Sequence, residues 1–318
     1  MMTHDVCAED PTGQPCRGPS QLKMAMTVIH GDVCESPEAI ALETPNVVVM
    51  PTTGIRDMAR IQYPAAGRCI YCGKEQDLRR EHIIPFGLNG TMVIPQASCR
   101  ECARKTGACE TKVLRGPMRN MRLLRRFRSR SQHEGASFVH RFQVVKDGAR
   151  SVVELPLEEA PILLYFPIFS LPRILTGQVG SGATMIGVAA MLTGPTPDDV
   201  AWHLGVDGVI DESEPYDPIA FARMIGKIGF ATAFAEGALA MIDGPTPVLP
   251  AILGDADNIG RWVGTMTGLY KKYPGVVHRV AVHLDSASGL LVVEVQLFAD
   301  SGAPSYGVVL GKPRSHGK

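Results

Sequence analysis

The chain of 318 residues carries 32 Lys+Arg against 32 Asp+Glu, so its formal net charge is zero. That balance excludes a protein that holds nucleic acid or an anionic membrane surface by its overall charge, while 45% hydrophobic residues are those of a globular chain. The length suffices for one large domain or two ordinary ones with a full core.

Residues 1–60 are turn-rich and polar, as in "EDPTGQPCRGPSQ", and read as a flexible N-terminal tail; "NVVVMP" could add one strand. The start, "MMTHDVCAED", has no basic segment running into an apolar one. A cytoplasmic location is therefore expected, with cysteines kept as thiols or metal ligands and not as a disulfide framework.

Next comes a compact cysteine segment. Cys69 and Cys72 form one CxxC pair, and Cys99 and Cys102 a second. Two residues between cysteines let both thiolates point at one ion from a tight turn, so two such knuckles make a closed four-cysteine structural zinc site. Cys109 lies outside both pairs and reads as a buried free thiol. Between the knuckles stands "EHIIPFGLNG", with Glu81 and His82 directly before an apolar pair and a proline. Asn89 sits in its turn, either tying the loop to the strand or as a plain Asn-Gly turn.

After the second knuckle, "TKVLRGPMRNMRLLRRFRSR" holds no acidic residue. Met118, Met121, Leu124 and Phe127 recur at helical spacing, with Pro117 suited to a first turn. Arg115, Arg119, Arg122, Arg125 and Arg126 crowd the same stretch. Phosphate contacts come mostly from Arg and Lys, so this run points to a nucleic-acid backbone. Pairing with the acidic stretch "DGVIDESEPYD" of the same chain is the competing use.

Beyond residue 134 the pattern is α+β with mainly antiparallel pairing. "FVHRFQVVKDGARSVVELP" reads as a hairpin turning at Asp147-Gly148. Between Glu159 and Asp198 only Arg173 is charged, but prolines and glycines break the run, which reads as buried strands and turns and not as a membrane span. "DPIAFARMIGKIGFATAFAEGAL" reads as a buried helix capped by Asp217, with Pro218 at its first position. The last strands read as a three-stranded antiparallel meander, in which His278 and His283 are structural. The expected division is a tail over 1–60, a zinc module with its basic helix over 61–133, and an α+β domain over 134–318.

The order CxxC, Glu-His-Ile-Ile-Pro, a Gly-containing turn, CxxC and helix resembles the HNH (His-Asn-His) endonuclease family, in its branch with a four-cysteine zinc. The resemblance covers about residues 69–110. It implies a ββα-metal fold, metal-dependent hydrolysis of phosphodiester bonds, double-stranded DNA as partner, and a catalytic Mg2+ or Mn2+ beside the structural zinc. By the match, His82 deprotonates the attacking water and Glu81 is a ligand of the catalytic ion. The family's Asn or His after the second CxxC is Ala103 here, which cannot ligate. Glu110 is seven residues on, close to two turns, and so lies on the same helix face; Glu110, Thr106 or water could supply the missing ligand. The alternative is a module that keeps the zinc but not the reaction, and binds nucleic acid or a protein partner.

Overall fold

The structure, a computed structural model, describes residues 24–30, 46–51, 61–128, 138–210, 216–266 and 271–314. It is mixed α+β. Two strands come from the stretch expected to be a tail, β1 (Met24–His30) and β2 (Asn46–Pro51), and the rest of that stretch lies outside the described residues.

The cysteine segment opens with β3 (Ile61–Gln62), β4 (Arg79–His82) and β5 (Met92–Ser98), followed by α1 (Arg100–Arg115). β5 lies in the middle, antiparallel to β4 and parallel to β3. Gly116 and Pro117 then break the basic stretch. A second helix, α2 (Arg119–Leu124), starts two residues later than the periodicity suggested, because Pro117 falls in the turn between helices. The expected boundary after residue 133 falls outside the described residues.

β6 (Val139–Lys146) and β7 (Ala149–Pro156) form the expected hairpin. Asp147 and Gly148 both have positive φ, 51° and 76°, which a two-residue turn between twisted strands requires. β8 (Ile162–Phe169), α3 (Arg173–Thr176), β9 (Met185–Thr193), α4 (Pro197–Leu204) and β10 (Gly208–Ile210) follow. β10 joins the edge of β6, and β9 lies between β1 and β8.

α5 (Pro218–Ala235) starts where Asp217 accepts the Ala220 N–H, with Pro218 in its first turn. α6 (Leu249–Leu253) and β11 (Val263–Thr265) lead to the meander β12 (Val276–Leu284), β13 (Leu291–Leu297) and β14 (Ser305–Gly311). With β11 and β2 at its edges, the meander becomes a five-stranded antiparallel sheet, in order β11-β14-β13-β12-β2.

α5 holds the molecule together. Its side chains are buried on nearly every face, because one side packs on β13 and β14 and the other on α1. Gly229 permits the close approach to the sheet: a Cβ there would lie 2.7 Å from the Val308 side chain. The buried apolar residues form one continuous cluster from Cys69 to Leu310, so the cysteine segment and the large sheet share a core. Among the described residues no helix is long and apolar enough to cross a membrane.

Candidate functional site

The two knuckles meet. Cys69 and Cys72 sit in a tight turn closed by the Gly73 N–H on the Cys69 carbonyl (2.8 Å), with Gly73 at φ 78°. Cys99 caps α1 and Cys102 lies in its first turn. All four Sγ atoms lie within 4.8 Å of one another, and those of Cys72 and Cys99 are 3.6 Å apart. Four thiolates at about 2.3 Å from one tetrahedral ion would be about 3.8 Å apart, so the set fits a metal ion. Cys109, the expected free thiol, is buried, free and outside this cluster; burial pushes its thiol up.

β4 carries Glu81 and His82 at its end, paired with Ile94 and Val93 of β5. Ile83 and Ile84 behind them are fully buried and anchor the strand. The chain then turns through Phe86–Leu88 into Asn89, whose φ of 63° is the left-handed conformation that an Asn-Gly turn uses. A side chain at Gly90 would come within 1.9 Å of the Ile84 carbonyl oxygen, so the turn closes on itself only with glycine. A distant residue clamps this loop: His278 of β12 donates from Nε2 to the Leu88 carbonyl at 2.8 Å. His82 is half-buried and meets Phe86 edge-on at 5.5 Å between ring centres.

Glu110 lines the cleft with Ala103, in keeping with the shared helix face, and it converges with Glu81, but the group between the two carboxylates is an ammonium. Lys227 of α5 places Nζ 2.7 Å from Glu81 and 3.0 Å from Glu110. The same Nζ donates to the His82 carbonyl and to that of Ile83 (3.2 Å). Burial pushes the Glu81 carboxyl above the usual carboxylate range, against the pull of Lys227. Burial also works against the Lys227 charge, but Glu110 and Glu81 outweigh it and hold the ammonium above its ordinary value. Sequence reading missed Lys227. Its signal was a lone charge inside the apolar run "MIGKIGFATAFA", since a buried lysine needs carboxylates to meet it.

In front of this cluster lies a cleft of about 1140 Å³. His82, Ala103, Thr106 and Glu110 line it, together with Arg79 and Arg80 of β4. Arg115 at the end of α1, Arg119 and Arg122 of α2, and Arg128 line it too. Seven cationic side chains thus line the cleft with two carboxylates, both already held by Lys227. Among the described residues no carboxylate pairs with Arg79, Arg80, Arg115 or Arg119.

The arginines named from sequence therefore separate into groups. Arg115 and Arg119 line the cleft. Arg122 lines it too, but its guanidinium is spent on the backbone, donating to the carbonyls of Gly87 (2.5 Å) and Leu114 (2.6 Å). Arg125 turns away to Asp300 and Ser301, both at 2.8 Å, and lies over the Phe298 ring. Arg126 is exposed and does not line the cleft. Part of the internal pairing considered for the basic stretch exists, but from α1: Lys112 meets Asp217 at 2.9 Å. Arg79 and Arg80, not singled out from sequence, share the cleft because they precede Glu81 on the same strand.

Comparison of the chain with protein-family models, with curated proteins and with solved structures finds no match, so the functional reading stands on this geometry.

Proposed function

We propose that this chain binds the phosphate backbone of nucleic acid, with double-stranded DNA as the partner, in the arginine-lined cleft of a zinc-held HNH-type module. Zinc is the ion that four clustered thiolates favour, being borderline-soft and content with a closed tetrahedron. It would fix the Cys69–Cys72 turn to the start of α1, the helix that carries Ala103, Glu110 and Arg115 into the cleft.

The observation that carries this reading is that Arg79 and Arg80 of β4 line the same cleft as Arg115 of α1 and Arg119 of α2. A neutral chain that gathers four guanidinium groups with no carboxylate partner among the described residues in one concave place concentrates its positive field there. Guanidinium groups bind phosphate oxygens with little regard to base, so the contact is expected to be sequence-tolerant. Fluorescence anisotropy with unrelated duplexes tests it: similar affinities are expected, each weakened by Arg79→Gln/Arg115→Gln, and no binding at low salt would remove the proposal.

A second reading, hydrolysis of the bound phosphodiester, is favoured by the presence of His82 in the lining of the same cleft. A neutral imidazole there could accept the proton of an attacking water. Nicking of supercoiled plasmid by the wild-type chain, abolished in His82→Ala with the zinc retained, supports this reading. An inert wild type leaves binding alone.

A further inference from the structure

The geometry points to Lys227 as a built-in cation standing where a divalent ion would sit between Glu81 and Glu110. The cleft then works without a second metal. This deepens the binding reading above but stands on separate observations.

With Lys227 in place, the residues around Glu81 do not fit a divalent ion. Mg2+ and Mn2+ take oxygen ligands at about 2.1 Å in a regular octahedron. Here the two carboxylates converge on one point, as two metal ligands would, and that point is Nζ of Lys227. The position on α1 that the resemblance assigns to a further ligand is Ala103, which lines the cleft and offers no donor atom. An ion entering between the carboxylates would have to share them with an ammonium already within 3.0 Å of both. Like charges at that separation repel strongly inside a protein.

Lys227 is also no phosphate ligand. Its three protons meet four acceptors, the carboxylates of Glu81 and Glu110 and the carbonyls of His82 and Ile83, and the side chain is almost wholly buried. It acts by position. α5 carries it across from the large sheet, and the ammonium pins the end of β4, where His82 stands, to α1, where Glu110 stands. One lysine thus supplies the charge balance and the cross-link of a bound ion. Binding of a phosphate backbone to the arginines in front needs no metal from solution.

Mn2+ titration of the zinc-containing protein, followed by the free-ion electron paramagnetic resonance signal, tests this directly. The wild type should leave the signal at its buffer value. Lys227→Met should take up one Mn2+ per chain, lost again in Lys227→Met/Glu110→Gln. Wild-type uptake of one Mn2+ that disappears in Glu81→Gln would overturn the inference, as would a folded Lys227→Met that takes up none. If Lys227→Met does not fold, the wild-type titration still decides. Duplex affinity without added Mg2+ should equal that with it, and a duplex requirement for Mg2+ would count against the inference. Absence of any duplex binding would remove the proposed function while leaving the Mn2+ result to stand on its own.

Discussion

His278 Nε2 lies 2.8 Å from the carbonyl oxygen of Leu88, a residue 190 positions earlier in the chain. Its Nδ1 accepts the Phe298 N–H at 3.2 Å. A carbonyl can only accept and an amide N–H only donate, so the ring is neutral with its proton on Nε2. The loop that follows His82 is thus held by the large sheet through one uncharged imidazole.

That imidazole makes the fold acid-sensitive. Complete burial pushes its value down to about 4. A folded value below the unfolded one means that the unfolded chain takes up the proton first. The stability is therefore present above about pH 6.5 and is lost as pH falls toward 4, at most about 3 kcal/mol. Glu81, whose folded value is raised, works in the opposite sense, so a comparison that cancels it is needed. Urea midpoints at pH 7, 5.5 and 4.5 should fall in the wild type and fall less in His278→Gln. Parallel declines in both would contradict the assignment.

Loss of Lys227 should be costly. Lys227→Ala leaves the buried Glu81 beside the half-buried Glu110 without a counter-charge, and loss of one partner of a buried ion pair costs up to about 3–5 kcal/mol. Adding Glu110→Gln should restore part of the loss, since one of the two stranded charges is gone. Chemical denaturation of the single and double variants measures this, and additive effects would show that the three side chains do not act as a unit.

The four-cysteine site should contain one zinc per chain by metal analysis. Cys99→Ser should lose it and lower the thermal midpoint, because metal binding and folding of the two knuckles are coupled. The fall should reach the whole molecule, since the core around Cys69 is continuous with that of the large sheet. A wild type that is folded and zinc-free would contradict the assignment.

Local signals made part of this molecule legible. Asp147-Gly148 announced the hairpin because a two-residue turn needs those conformations, and Asp217-Pro218 announced α5 because cap and first turn are chemical features. The cysteines announced their cluster by spacing alone. Helix periodicity placed Glu110 on the face of Ala103, and both line the cleft. What stayed hidden was set by contacts far apart in sequence. Nothing local told that Lys227 would cross to β4, or that Arg125 would turn inward to Asp300. Met24–His30 became a strand only through β9, whose residues lie far along the chain. A charged residue on an apolar helix reports that a partner exists and does not say which.

The most direct test of nucleic-acid binding in this cleft is the salt dependence of duplex affinity. Each phosphate neutralised releases condensed counterion, so log affinity falls with log salt by about 0.9 per contact. Replacing Arg79, Arg80, Arg115 and Arg119 with Gln removes four of the cleft's charges without touching the backbone contacts of Arg122 or the Asp300 pair of Arg125. That variant should show a slope smaller by about three to four, and Arg150→Gln, at an exposed position on β7, an unchanged one. An unchanged slope in the cleft variant would contradict nucleic-acid binding there.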